Sequence, residues 1–311
     1  MKREDFLWGV NTHCDFYPVY RRENADEQLR LIREMGCKIV RVNFYSFDFS
    51  DFYVPLANSK GLKVMLEVDG QLLNISDNYD AQSEYELYLK IAERYDGNHG
   101  YGKVDFIQIN NEVDVFLSTF NLNFGDGETV EEFPQPMMQK IYEHFANAAA
   151  GIRAAKTDVK IVINAGWKHY GMFLYMQEKG IDFDLLGWDW YGDMSKVLKK
   201  EGKGAFGIAE TLNKLFNKDI IVCETNVWSN SAIDDDDLSN WDELFSIIED
   251  AVTYPYVKGL IIYECCDDMI LENDNKYDRE AHFGLIKADK QGNMLGVKPV
   301  YYKLKEYILS E

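Results

Sequence analysis

Two glutamates stand at the ends of apolar runs that lie far apart in the chain. Glu112 follows the run in IQINNEVDV, residues 107–115, and Glu224 lies in DIIVCET, residues 219–225. If the buried strand simply ended at the solvent, turn residues would be sufficient there, and a row of amides and carboxylates would not be required. Two carboxyl groups that face one substrate can divide catalysis, because one can donate a proton while the other attacks or activates water. Glu112 and Glu224 are therefore the first candidate catalytic residues.

Eight short apolar runs recur along the chain, and most lack the strict alternation of a half-exposed strand. Such runs fit strands that are buried on both faces of a parallel sheet. They cover residues 6–11, 38–44, 62–68, 104–110, 159–165, 183–190, 219–225 and 258–264.

Helical patterns separate these runs. One begins at Asn24, read as an N-cap, and stops at Gly36. Others cover residues 83–97, 136–156, 242–254 and 298–309. Eight strands alternating with helices predict the α/β class and a (β/α)8 TIM barrel, with residues 1–311 as a single catalytic domain. A doubly wound open sheet is the alternative, but it normally carries a Gly-rich phosphate loop after the first strand, and GVNTHCDFY is not one.

The C-terminal ends of barrel strands meet at one mouth, where active sites form. The residues predicted at these ends are carboxylates, amides and aromatics. They are Asn11, His13, Arg41, Asn43, Glu67, Asp69, Asn111, Glu112, Asp189, Trp190, Tyr191, Glu224, Asn226, Tyr263 and Glu264. Crowded carboxylates repel one another, so at least one should have a raised pKa and keep its proton near neutral pH.

This arrangement suits the cleavage of a glycosidic bond. One carboxylic acid protonates the leaving oxygen, while the other carboxylate attacks the anomeric carbon or activates water. Strands four and seven lie roughly opposite each other in a barrel, so Glu112 and Glu224 can flank one bond. Of the tryptophans, we expect Trp190 and Trp228 to stack on sugar rings, because they lie at or beyond a strand end.

Several motifs are similar to those of clan A retaining glycoside hydrolases, which include cellulases, β-mannanases, β-galactanases and β-glycosidases. They are NE at 111–112, ET at 224–225, RVN at 41–43, WDWYG at 188–192 and the closing FGLIKADKQGNMLGVKPVYYKL. The resemblance covers the whole chain. It implies that Glu112 is the acid/base and Glu224 the nucleophile, that Arg41 and Tyr191 contact the nucleophile, and that Asn111 binds the sugar 2-hydroxyl. It further implies hydrolysis of β-linked glycosides with retention and without a cofactor or metal.

Two positions depart from the clan. Many members carry Trp at the end of strand eight, where this chain has Tyr263 followed by Glu264. Many carry His after strand three, where this chain has the segment LEVDG, whose first two residues are Leu66 and Glu67. These changes bear on the substrate more than on the chemistry, so no single family, sugar or linkage follows from the sequence. His13 and Asn43 join these residues as candidate substrate-binding groups.

Composition limits the partners. The chain of 311 residues has 53 acidic and 33 basic residues and a net charge of −20. Such a surface repels nucleic acid and anionic membranes and fits a neutral carbohydrate. The N-terminus has no apolar signal segment, no run is long enough to span a membrane, and five irregularly spaced cysteines are not a disulfide framework. We therefore expect a cytoplasmic protein, whose oligomeric state stays open.

Two other functions remain possible at this point. A carbohydrate-binding barrel that has lost turnover is one, and the altered end of strand eight motivates it. A metal-dependent barrel hydrolase that uses His13, Glu67 and Asp69 is the other. Turnover of β-glycosides would separate the first from an enzyme, and metal analysis would test the second.

Overall fold

The computed structural model describes residues 5–71, 79–115, 122–227, 241–272 and 280–310. Eight parallel strands close into a barrel in chain order, which confirms the predicted TIM barrel. Each predicted strand overlaps one observed strand. The strands are β1 (Leu7–Asn11), β2 (Ile39–Asn43), β3 (Lys63–Val68), β4 (Phe106–Ile109), β5 (Lys160–Gly166), β6 (Leu185–Asp189), β7 (Ile220–Thr225) and β8 (Val257–Ile262).

Helices surround the barrel, and all five predicted helical segments overlap observed ones. The described helices are α1 (Arg22–Glu34), α2 (Phe47–Ser59), α3 (Ala81–Arg94), α4 (Gln135–Ala154), α5 (Tyr170–Glu178), α6 (Gly192–Lys200), α7 (Ile208–Phe216), α8 (Trp241–Ala251) and α9 (Pro299–Ser310). Helix α2 was not predicted from the sequence, because Pro55 and its many aromatic residues obscure the helical pattern. Within the described ranges, no helix is both long and apolar enough to cross a membrane.

The predicted N-cap of α1 is wrong. The helix begins at Arg22, so Asn24 lies inside its first turn. The Asn24 side-chain amide instead donates to the carbonyl oxygens of Val19 and Gly292, at 2.9 Å each. Because Gly292 is distant in the chain, local sequence patterns could not reveal this competing use of the side chain.

The barrel interior contains an apolar layer. Its members are Ile39, Met65, Phe106, Val162, Ile221, Cys223 and Ile261. On four strands a buried polar residue follows two positions later, namely Arg41, Glu67, Gln108 and Asn164. Since alternate residues of a strand point to the same face, these polar side chains face the interior nearer the mouth. On the inward face of these four strands, an apolar residue deeper in the barrel is therefore followed by a polar residue nearer the mouth.

Strand β7 departs from this period of two beside Glu224. Trp188 of β6 pairs with Val222, and the next residue, Asp189, pairs with Glu224, so Cys223 is an extra residue in β7. Such irregularities bend a strand and redirect its side chains, often beside active sites. Cys223 belongs to the interior apolar layer and Glu224 lines the mouth, so two consecutive residues of β7 face inward.

Gly187 allows β5 and β6 to approach closely at the site. A Cβ atom at this position would lie 2.7 Å from Asn164 Cβ and 2.9 Å from Cys223 Sγ. Asn164 pairs directly with Gly187 across the sheet. Any side chain at 187 would therefore displace the amide that binds the residues of the site.

The chain closes with a small hairpin before α9. It consists of β9 (Ile286–Ala288) and β10 (Met294–Val297) and was not predicted. Lys298 follows it and is buried, with its ammonium 2.6 Å from Asp267 Oδ1 and 2.9 Å from the His282 carbonyl oxygen. This ion pair attaches the segment after β8 to the start of α9.

We expect Lys298→Ala to lower the free energy of unfolding by about 3–5 kcal/mol, because it leaves the buried Asp267 carboxylate without its cation. Urea denaturation measures the change. Lys200→Ala, at an exposed helix end, is the control and should change it by less than about 0.5 kcal/mol. A loss below about 1 kcal/mol for the Lys298 variant would show that the ion pair does not anchor this segment.

Candidate active site

A cavity of about 400 Å³ opens at the C-terminal ends of the strands. Ten of the residues predicted at the strand ends line it, drawn from β1 to β4 and β6 to β8 or the residues just beyond them. They are His13, Arg41, Asn43, Glu67, Asp69, Asn111, Glu112, Tyr191, Glu224 and Tyr263. Glu280 and Phe283 also contribute to the wall. The folded chain therefore brings together residues that are separated by up to 270 positions in sequence.

Glu224 is held through both of its carboxylate oxygens. Arg41 Nη1 donates to Oε1 at 2.8 Å, and the Tyr191 hydroxyl donates to Oε2 at 2.7 Å. Hydrogen bonds and a neighbouring cation both favour the charged form of a carboxylate. Such a carboxylate is suited to nucleophilic attack, because contacts to both oxygens fix it in place.

Arg41 connects four strands. Besides Glu224, its guanidinium donates to Asn11 Oδ1 at 2.8 Å, to Gln108 Oε1 at 2.7 Å and to Asn111 Oδ1 at 2.7 Å. Burial alone would lower the pKa of Arg41, but Glu224 together with Cys223, Asp189 and Glu67 outweighs it, and the pKa is raised. The guanidinium is therefore a permanent positive charge at the centre of the site.

Glu112 lies close to Glu224 but in a different environment. One carboxylate oxygen from each lies within 4.8 Å of the other. Burial, the charge of Glu224 and the charge of Asp114 raise the pKa of Glu112 to about 8. Glu112 therefore keeps a proton at neutral pH, while Arg41 and Tyr191 stabilise the carboxylate of Glu224. The two carboxyl groups therefore have different environments, as an acid and a nucleophile require.

A third carboxyl group, Asp189, lies within 4.8 Å of both glutamates. It is fully buried, and burial together with the charges of Glu224 and Glu112 raises its pKa well above the ordinary value. Asn164 Nδ2 donates to Asp189 at 2.6 Å and to Asn111 at 2.9 Å, and Asn164 Oδ1 accepts from the Glu112 backbone N–H at 3.1 Å. Asn164 thus joins the ends of β4 and β6.

The backbone that presents Glu112 is unusual. Asn110 has a φ of 60° and Glu112 a φ of 44°, in the left-handed region that non-glycine residues rarely adopt. The Asn110 amide is buried, donates to the Asp69 carbonyl oxygen at 2.5 Å and contacts His144 Nε2. The other ring nitrogen of His144 lies 2.9 Å from Glu84 Oε1. These contacts hold the end of β4 in its strained conformation.

Glu67 and Asp69 form a carboxyl pair on the wall formed by β3. Burial and the neighbouring Asp69 raise the pKa of Glu67 well above its ordinary value. One of its oxygens, Oε1, is buried without a hydrogen-bond partner among the described residues. Glu67 itself lines the cavity, so its carboxyl group is placed to bind a substrate hydroxyl.

Glu264 lies behind the cavity wall rather than on it. It is buried and accepts from the Tyr20 hydroxyl at 2.7 Å, while His13 Nε2 lies 2.9 Å away. Tyr263 precedes it and lines the cavity, so the two residues of this dipeptide have different positions. Glu264 was predicted as a substrate-binding or supporting residue, and its contact with His13 fits the supporting role.

The prediction that Trp190 stacks on substrate is wrong. Its side chain is fully buried, stacks on Trp167 with ring centroids 6.3 Å apart, and donates to the Ala205 carbonyl oxygen at 2.8 Å. It follows Asp189, and alternation turns it out of the barrel into the helix layer. Trp228, the other predicted platform, lies outside the described residues.

Gln108 and Asn164 are site residues that the sequence reading did not select, and Asp189 was placed at the mouth without a role. Gln108 accepts from Arg41, and Asn164 binds Asp189, as described above. The signal was present, because each lies two positions after an inward-facing residue or glycine of its strand. Reading whole inward rows, rather than only the last residue of each strand, would have found them.

The described residues include one group of three carboxylates close enough to hold a metal ion, and it is the Glu112–Asp189–Glu224 group. The alternative set of His13, Glu67 and Asp69 does not form such a group. Arg41 already neutralises Glu224 from 2.8 Å, so a divalent cation at this group would meet a fixed positive charge. The donor set therefore does not fit a resident metal ion.

An eight-stranded barrel whose mouth presents two closely spaced carboxyl groups, one held by arginine and tyrosine, is the arrangement of a hydrolase of glycosidic bonds. The family described as glycosyl hydrolase family 53 matches residues 98–255, just over half of the chain. The chain belongs to this family. The resemblance to clan A glycoside hydrolases is thereby confirmed, and the protein is a glycoside hydrolase. Among curated proteins, no sequence matches the chain.

Solved structures share the fold over nearly the whole chain. A Thermotoga maritima β-glucosidase in complex with noeuromycin is 14% identical, with a TM-score of 0.73 over 99% of this chain and 98% of its own. The hyperthermophilic β-glucosidase from Pyrococcus furiosus is 10% identical, with a TM-score of 0.64 over 99% and 96%. The AHE enzyme from Alicyclobacillus herbarius is 12% identical, with a TM-score of 0.70 over 100% and 99%. At these identities the likeness establishes the fold alone.

We expect Glu224→Gln to lower the pKa of Glu112 from about 8 by roughly one unit, because the variant removes a negative charge that opposes ionisation of Glu112. Carbon-13 NMR of labelled glutamate carboxyls measures the titration. Glu178→Gln, at an exposed helix end, should leave it unchanged. An unaltered pKa in the Glu224 variant would mean that the two acids are not electrostatically linked.

Proposed function

We propose that the protein hydrolyses β-linked glycosides with retention of configuration, with Glu112 as acid/base and Glu224 as nucleophile. One observation carries this proposal: the two carboxyl groups approach within 4.8 Å. Retaining enzymes place their carboxyl groups about 5–5.5 Å apart, whereas inverting enzymes need about 6.5–9.5 Å to admit a water molecule. The spacing here supports direct attack by Glu224 on the anomeric carbon.

The proposed reaction has two steps. In the first, Glu112 donates its proton to the leaving oxygen while a Glu224 oxygen forms a bond to the anomeric carbon, giving a covalent glycosyl-enzyme. In the second, the Glu112 carboxylate removes a proton from water as that water attacks the same carbon and releases Glu224. Glu112 then carries its proton again, and the site is restored.

The surrounding residues have distinct proposed roles. Arg41 and Tyr191 hold Glu224 in one rotamer and stabilise the carboxylate that departs in the second step. Asn111 has its oxygen engaged by Arg41 and Asn164, so its amide nitrogen is left to donate to the sugar 2-hydroxyl. A bond to this hydroxyl strengthens as the oxocarbenium-like transition state forms.

Four further groups on the cavity wall fit sugar hydroxyls. His13, Asn43 and Glu67 offer polar atoms, and Tyr263 offers a hydroxyl beside an apolar ring. Glu264 orients His13 from behind and is proposed as a positioning residue. Residues 1–311 are proposed to act as one catalytic domain.

Glu224→Ala should lower kcat on an activated aryl β-glycoside by on the order of 10⁴-fold or more, because it removes the nucleophile. In the wild-type enzyme, a 2-deoxy-2-fluoro glycoside with a good leaving group should label Glu224, as detected by mass spectrometry of peptides. Glu178→Ala serves as the control for both measurements.

Labelling of any other residue would overturn the assignment of the nucleophile. A wild-type protein that binds β-glycosides tightly yet cleaves none of a broad panel would instead support a binding barrel without turnover.

We expect kcat/KM to decline as pH rises above about 8. The first step needs a protonated Glu112, and the protonated fraction falls as pH passes through its pKa of about 8. A pH–rate profile of kcat/KM measures this basic limb, with circular dichroism at each pH as the control for unfolding. A decline that began near pH 4.5, the ordinary pKa of glutamate, would show that Glu112 is not the acid in this environment.

A further inference from the structure

The catalytic cavity has an excess of acidic side chains. Its wall includes five carboxyl groups, those of Glu67, Asp69, Glu112, Glu224 and Glu280. Within the described ranges, Arg41 is the one lysine or arginine side chain that lines the cavity, and it already donates to Glu224 and to three side-chain amide oxygens. The cavity therefore holds more carboxyl groups than its fixed cation can balance.

Glu67 lies in the cavity wall beside a second carboxyl group. The residue is only 6% exposed, and its Oε1 atom has no hydrogen-bond partner among the described residues. Its neighbour is the carboxyl group of Asp69, and two carboxyl groups share a hydrogen bond only while one of them holds a proton. Burial and this neighbour raise the pKa of Glu67 well above its ordinary value. A proton, and not a cation of the protein, therefore joins the pair when the cavity is empty.

The pair is accessible from the cavity and lies next to the groups proposed to bind the reacting sugar. Asp69 is exposed and, like Glu67, lines the cavity. Glu67 pairs across the sheet with Gln108 of β4, which accepts from Arg41 at 2.7 Å and has its amide nitrogen 3.4 Å from Asn111 Oδ1. A substrate that occupies the cavity therefore meets the carboxyl pair close to the Arg41 network.

An ammonium group fits this pair better than a hydroxyl does. A hydroxyl has one proton to donate and no charge, so one carboxyl group of the pair would still have to hold a proton. An ammonium group has three N–H donors and a positive charge, so it stabilises both carboxylates in their ionised form through charge-assisted hydrogen bonds. The net charge of −20 also attracts cationic ligands to the protein.

A resident divalent metal ion fits the pair less well. Calcium takes six to eight oxygen ligands. In the described part of the chain, Glu67 and Asp69 do not belong to a group of three side chains that could hold a metal ion. The cation that suits the pair is therefore one that brings its own N–H donors.

We propose that Glu67 and Asp69 bind the ammonium group of an amino sugar, so that the enzyme prefers β-linked saccharides with free amino groups over their neutral counterparts. This inference rests on the proposed function and names its substrate class as cationic, non-acetylated amino sugars. Glu112 and Glu224 keep their proposed roles. On binding, the proton shared by the carboxyl pair leaves to solvent, and the ammonium group takes its place between the two carboxylates.

The test compares charged and neutral saccharides of the same skeleton. We would measure kcat/KM for β-linked oligosaccharides of glucosamine and galactosamine, of their N-acetyl forms, and of glucose and galactose, at about pH 6, where the amines are protonated. The wild type should favour the free amine over both neutral forms by about tenfold or more. In Glu67→Gln/Asp69→Asn, which keeps the side-chain shapes and removes the charges, this ratio should fall about tenfold.

Glu178→Gln/Asp5→Asn is the matched control. It removes the same two charges from exposed positions outside the cavity, at the end of α5 and just before β1, so the ratio should stay within about twofold. The control separates a local effect of the carboxyl pair from the effect of the overall negative charge.

Three outcomes would overturn the ammonium site. They are a wild type that cleaves neutral saccharides as well as the free amines, a Glu67→Gln/Asp69→Asn variant that keeps the wild-type ratio, and a variant that loses kcat/KM equally for charged and neutral forms. The last would mean that the pair binds hydroxyls. Calcium binding that the same substitutions abolish, without any preference for amines, would show a metal site instead.

Calorimetry separates failure of this site from failure of the proposed function. In the Glu224→Gln background, affinity for glucosamine or galactosamine oligosaccharides should exceed that for the neutral forms and should fall as salt is added. The added Glu67→Gln/Asp69→Asn changes should remove both effects. Binding that follows this pattern without any wild-type cleavage would uphold the ammonium site and reject the hydrolytic mechanism.

Discussion

The ion pair of Arg41 and Glu224 is the interaction on which the site depends. A buried guanidinium cannot give up its proton, so it must be surrounded by acceptors or the fold loses several kcal/mol. Here the acceptors are Glu224 and the side-chain oxygens of Asn11, Gln108 and Asn111. Satisfying one cation therefore fixes the positions of four strand ends. The acceptors that compensate the burial of Arg41 are also groups of the candidate active site. The same contacts therefore stabilise the fold and preorganise the site.

A single fixed cation also sets the protonation of its neighbours. Arg41 and the Tyr191 hydroxyl both donate hydrogen bonds to Glu224, so together they stabilise a single carboxylate. Glu112 and Asp189 lie within the same few ångströms without a cation of their own, so burial and repulsion raise their pKa values. The proposed roles of Glu112 as acid and Glu224 as nucleophile thus rest on a shortage of positive charge. A second arginine in this space would favour the ionised form of Glu112 and remove the proposed proton donor.

Function also depends on two departures from regular strand geometry. The extra residue at Cys223 turns Glu224 into the mouth, and the left-handed backbone at Asn110 and Glu112 presents the acid. Each is held by groups outside the catalytic pair: Gly187 leaves space for Asn164 beside Cys223, and His144 contacts Asn110.

The sequence by itself determined the eight strands, the barrel and ten of the residues on the cavity wall, including Glu112 and Glu224. It could do so because apolar runs and strand-end polar residues are local patterns, and a barrel brings all strand ends to one side. Only the tertiary structure decided that Trp190 is core, that Glu264 stands behind His13, and that Asp189 joins the acids. Those outcomes depend on the face each side chain takes and on partners distant in the chain. The irregular register of β7 changes by one residue which side chains face the barrel interior, and the local sequence pattern does not show this change.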